Sequence, residues 1–87
     1  MKADKESVSR LLKTAGGQLN GVLKMIEEDR YCIDISNQLL AVEALLKKAN
    51  REVLRAHMHG CVVDAFETDD VDAKIDEVLS VMDKMNK

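Results

Sequence analysis

From Val8 onward, apolar residues return at Leu11, Leu12, Ala15, Leu19, Val22, Leu23 and Ile26, the three-and-four spacing of an amphipathic helix. A polar break, Glu27-Glu28-Asp29-Arg30, interrupts the pattern and is too short for anything but the turn of an αα-hairpin. A second stripe follows at Ile35, Leu39, Val42, Leu46, Ala49, Val53 and Ala56, with no Gly or Pro from Cys32 through His59. Ile33, Leu40, Leu45 and Leu54 fall off that stripe, so the second helix is apolar around much of its circumference. Glu67-Thr68-Asp69-Asp70 is an acidic cluster suited to a helix N-terminus. Beyond it Val71, Ile75, Val78, Leu79, Met82 and Met85 mark one face of a third helix. The spacing predicts an all-α, three-helix protomer with helices at about 5–28, 31–66 and 70–85 and no strands. Gly16-Gly17 and Gly21 fall inside helix one, where they point to close helix–helix approach or a kink.

Eighty-seven residues make a single small domain, 1–87, in which 46% of residues are hydrophobic and 2% aromatic. Its core must therefore be aliphatic. A short hairpin cannot cover an all-round apolar helix, and self-association is the natural remedy. The formal net charge of −3 is uneven: residues 1–55 hold ten Lys/Arg against eight Asp/Glu, and residues 56–87 three against eight. That balance argues against indiscriminate nucleic-acid binding while leaving room for a local basic face. The polar start Met-Lys-Ala-Asp-Lys-Glu has no apolar signal-peptide core, and no apolar run reaches membrane-spanning length. A cytoplasmic protein with reduced thiols is expected.

His57 and Cys61 are four residues apart and share one helix face. Cys32 starts the same helix, so at about 1.5 Å per residue it lies roughly 37 Å from His57 and roughly 43 Å from Cys61. An intrachain disulfide is excluded by that span. A second copy of the helix lying antiparallel would bring Cys32 of one chain to His57 and Cys61 of the other. Two thiolates and an imidazole suit Cu(I), with zinc short of a fourth ligand. From the chemistry alone, metal binding and plain packing stand about even. His59 points elsewhere and reads as a surface residue, whereas Met58, Met82 and Met85 read as core filler. No oxyanion loop, phosphate loop or dinucleotide motif accompanies the cysteines, and the chain does not read as an enzyme.

Arg10 and Lys13 on helix one, with Lys47, Lys48, Arg51 and Arg55 on helix two, could form a basic stripe. A solvated face paired as Glu43–Lys47 and Glu52–Arg55 is the simpler reading. Repeated by symmetry in an oligomer, the stripe would become an extended phosphate-contacting surface.

The run Glu-Glu-Asp-Arg-Tyr-Cys-Ile-Asp at 27–34, with Gln38 after it, resembles the copper-sensing operon repressor (CsoR) family. That family also includes nickel/cobalt, formaldehyde and persulfide sensors. The resemblance extends through Gly-Gln-Leu-Asn-Gly at 17–21, the Cys32-to-His57 spacing, the His-x-x-x-Cys pair and the acidic third helix. It implies an antiparallel four-helix-bundle dimer, usually assembled into a tetramer, that represses double-stranded operator DNA until an effector relieves it. On this resemblance Cys32, His57 and Cys61 take the place of the Cu(I) ligands, and Tyr31 and Glu77 that of the groups linked to the second nitrogen of the imidazole. A metal-bound His has its ring fixed by its remaining N–H, so such a link would couple ligation to helix three.

The nickel/cobalt sensors use an N-terminal His and a His in place of Cys61, and formaldehyde sensors a Pro after the initiator Met, where this chain has Lys2. Persulfide sensors keep cysteines matching Cys32 and Cys61, so a thiol-based redox repressor is the alternative. A copper-binding module without DNA contacts is another. The candidate DNA contacts remain those of the basic stripe, Arg10, Lys13, Lys48, Arg51 and Arg55, of which Lys48 matches a basic position of the family's helix two. Helix one departs from many members, with Leu11, Thr14, Gly16 and Asn20 at positions often Arg or polar.

Overall fold

The computed structural model describes the backbone of residues 1–68 and 71–85, and the side chains of 1–60 and 72–85. Three helices follow in order: α1, Lys5–Glu27; α2, Cys32–Thr68; and α3, Val71–Met85. Local chemistry sets both ends of α1. The Asp4 carboxylate accepts from the Glu6 N–H at 3.0 Å, capping a backbone donor that the helix itself cannot satisfy. At the other end Asp29 turns left-handed, with φ of 51°. Arg30 N–H then reaches Met25 O at 3.0 Å and Asp29 N–H reaches Ile26 O at 3.1 Å, the paired bonds of a Schellman stop. The chain re-enters a helix at once, with Tyr31 O accepting from Ile35 N–H at 3.2 Å.

The second helix runs two residues further than the expected 31–66. Glu67 and Thr68, expected in the cap of helix three, instead extend α2. Backbone hydrogen bonding carries a helix past the end of its apolar stripe when no Gly or Pro stops it. Asp69 and Asp70, the rest of that expected cap, lie outside the described residues. Gly60 costs α2 roughly 1 kcal/mol relative to Ala but does not end it.

α1 and α3 each pack on α2 and, among the described residues, not on one another. The protomer is 56 × 28 × 12 Å, a plate one helix thick. Its buried seam keeps a heptad rhythm: Val8, Ala15 and Val22 on α1 meet the side of α2 carrying Val42 and Ala49. Ala3, Val8 and Ala49 form its tightest cluster, with Leu11, Val53 and Ala56 against it. The buried side chains described are all Ala or Val. Larger residues, including Leu12, Leu19, Leu23, Leu39, Leu40 and Leu46, stay exposed.

Two expectations need correction. Of the α2 stripe, the Ile35–Val42–Ala49–Ala56 line faces α1, while Leu39 and Leu46 look away from it. Gly16, Gly17 and Gly21 do not mark close approach within the protomer, because a Cβ on any of them would meet nothing within 4 Å. Ala15, 4% exposed, is the small residue on the stripe that α2 covers. Among the described residues no helix is long and apolar enough to cross a membrane.

Candidate metal centre and basic groove

His57 stands on α2 where α3 crosses it, with its side chain 41% exposed. Its Nε2 lies 3.9 Å from Oε1 of Glu77 on α3, and Lys74 Nζ lies 3.9 Å from the other Glu77 oxygen. Val78, next to Glu77 and 4% exposed, is the buried residue of α3 and holds that helix against α2. At 3.9 Å the His57–Glu77 contact is longer than a hydrogen bond and half open to water, so it adds at most about 1 kcal/mol to stability. Its importance is positional: it ties the ring of His57 to a different helix.

Cys32 is a free, exposed thiol at the first residue of α2. Tyr31 precedes it and is 68% exposed. The helix is continuous from Cys32 past His57, so the separation of roughly 37 Å expected from helical rise applies. The backbone of α2 carries Cys61 one turn beyond His57, on the same face. Its side chain, and with it part of the expected ligand set, lies outside those described. Among the described residues no group of three or more His, Cys, Asp and Glu side chains could hold a metal. The protomer therefore joins His57 to Glu77 and leaves Cys32 and Tyr31 at the far end of the rod.

The expected basic residues fall into two places. Lys48, Arg51 and Arg55, together with Lys47 and the acid Glu52, border a groove of about 600 Å³ between α2 and α3. Arg10 and Lys13 sit with Lys5 and Glu6 around a separate depression on α1. The groove is floored by Leu54, Met58, Val78, Met82 and Met85. Met58 and Met82 are thus not core filler of the protomer: they are 38% and 45% exposed, and among the described residues nothing lies above the groove to cover them.

Neither expected charge pair, Glu43–Lys47 or Glu52–Arg55, forms among the described residues, whose ion pairs include Glu28–Arg30, His57–Glu77 and Lys74–Glu77. Glu52 turns to α1 and accepts from Ser7 Oγ at 2.8 Å. Lys5 and Lys74 went unremarked in the sequence, although Lys74 stands one turn before Glu77, a spacing that could have flagged it. His59 is a surface residue, as expected.

Residues 4–84 match the family model described as metal-sensitive transcriptional repressor. The copper-sensing transcriptional repressor CsoR of Bacillus subtilis is 39% identical over 97% of this chain and 83% of its own length. Its namesake in Mycobacterium ulcerans is 38% identical over 90% of this chain and 67% of its own length. The crystal structure of CsoR with Cu(I) from Geobacillus thermodenitrificans superposes with a TM-score of 0.84 at 32% identity, covering 100% of this chain and 94% of the other. An all-helical protomer with a match over 4–84 leaves one assignment: the chain belongs to the metal-sensitive transcriptional repressor family.

Proposed function

We propose that this protein is a cytoplasmic Cu(I)-responsive repressor, an oligomer that holds operator DNA when metal-free and releases it when Cu(I) binds. The observation that carries this reading is the placement of a free Cys32 at one end of an unbroken helix and His57, beside Glu77, near the other. One copy cannot close that gap, and two antiparallel copies do so twice, by symmetry.

The donor set fits the ion. Thiolate and imidazole are soft ligands, and a Cys-His-Cys triad satisfies trigonal Cu(I) while leaving zinc one ligand short. Cys32 of one protomer, with His57 and Cys61 of the other, would hold the ion, which when bound would supply a bridge between two α2 helices. With Nε2 of His57 directed at Glu77, Nδ1 is the ring nitrogen assigned to ligation. Any reorientation of that ring bears on Glu77, and through Glu77 on the seat of α3. The cations of α2 border the groove that α3 closes, so a shift of α3 changes their surroundings. Arg10, Lys13, Lys48, Arg51 and Arg55 are the proposed phosphate contacts; Tyr31, at the Cys32 end, would join Glu77 at the ligand ring only across the dimer.

The test is anaerobic Cu(I) titration of the metal-free protein together with binding to its own upstream DNA. One tight equivalent per protomer and loss of the DNA complex are expected. Wild-type affinity in Cys32→Ala would count against the reading. A sulfide donor that releases DNA through a Cys32–Cys61 link between chains, where copper does not, would establish the thiol alternative instead.

A further inference from the structure

The groove between α2 and α3 has a composition that neither metal binding nor phosphate contact requires. Lys47, Lys48, Arg51 and Arg55 border it, and among the described residues none of the four has an ion-pair partner. Glu52 also lines the groove, but one of its carboxylate oxygens is engaged by Ser7 Oγ of α1 at 2.8 Å. Four cations against one carboxylate thus give the groove a positive rim on a chain whose formal net charge is −3. Beneath them Met58 and Met82 lie open to solvent. A DNA backbone offers phosphates to the cations but nothing to a methionine floor.

We infer that this groove is a second effector site, which takes a free long-chain carboxylate. The guanidinium groups of Arg51 and Arg55 grip the carboxylate by charge-assisted hydrogen bonds, with Lys47 and Lys48 adding to the field. The alkyl chain lies over Met58 and Met82, whose flexible thioethers adapt to aliphatic surface. Charge selects an anion over a cation, and the apolar floor selects an amphiphile over a simple anion. A volume of about 600 Å³ is that of a small-ligand cleft. The effect on the operator rests on the proposal that Lys48, Arg51 and Arg55 contact phosphates. A carboxylate bound there then competes with DNA without using Cys32.

The experiment is calorimetric titration of the metal-free, full-length protein with dodecanoate below its micelle-forming concentration, followed in parallel by the methionine methyl signals in NMR. Saturable binding of one dodecanoate per protomer, with shifts at Met58 and Met82, is expected. Arg51→Gln/Arg55→Gln, checked for helicity by circular dichroism, should bind at least about tenfold more weakly. Non-saturating uptake, equal binding of dodecyltrimethylammonium, or full affinity in the double variant would overturn the site. So would methyl signals that stay still because a neighbouring copy already fills the groove. Dodecanoate that binds in the groove but leaves the operator complex intact would overturn the competition, and the phosphate assignment with it, while the carboxylate site stands.

Discussion

His57 of α2 and Glu77 of α3 face one another with Nε2 and Oε1 3.9 Å apart, a contact between helices that share no other described ion pair. If this contact carries the signal, Glu77→Gln should keep the stoichiometry of Cu(I) binding and lose communication with DNA. The ratio of operator affinities without and with Cu(I), about 5- to 150-fold in typical allosteric coupling, should fall towards one. Fluorescence anisotropy of a labelled operator reads it, and an undiminished ratio would clear Glu77 of the role.

Head-to-tail pairing predicts complementation. Cys32→Ala and Cys61→Ala each spoil both sites of a homodimer. Mixed and refolded together they give heterodimers with one complete site, built from Cys32 of one chain and His57 and Cys61 of the other. Tight Cu(I) binding should return on mixing, measured by competition with a chelator. Two variants that stay inactive together would exclude the shared site.

Arg51 borders the groove without an ion-pair partner among the described residues. Arg51→Gln should reduce the slope of log K against log salt for operator binding by about one, weakening all sequences alike. Cu(I) stoichiometry should not change. A salt slope equal to that of the parent protein would remove Arg51 from the phosphate contacts.

Asp29 holds the left-handed turn after α1 with φ of 51°. Asp29→Gly relieves the Cβ of that conformation and should raise stability by roughly 0.5–1 kcal/mol, whereas Asp29→Val should lower it by about 1–2 kcal/mol. Urea denaturation at fixed protein concentration gives both values. Equal midpoints for the two variants would mean that the turn is not strained.

The helices were legible in the sequence because their signals are local: a three-and-four spacing and a polar break. What was not legible depended on tertiary choice. A helix apolar all round offers more than one seam, and only packing shows that Val42 and Ala49 go inward while Leu39 and Leu46 do not. Glu52 had Arg55 within easy reach, yet it bonds Ser7, 45 residues away, because α1 passes there. The glycines of α1 point to no neighbour within the protomer for the same reason: their small size shows as a pattern, but the direction from which a neighbour comes does not. Cys32, His57 and Cys61 stood out by residue type and spacing, whereas Glu77, an ordinary carboxylate by pattern, stood out only through the family resemblance, and the structure sets it 3.9 Å from His57.

A body 12 Å through has two broad faces and, between its helices, only a narrow seam of Ala and Val. In the proposed oligomer a second copy covers Leu39, Leu40 and Leu46, which would make folding and association one equilibrium. The melting temperature should then climb with protein concentration, and a melting temperature that stays fixed on dilution would mean that each plate stands alone.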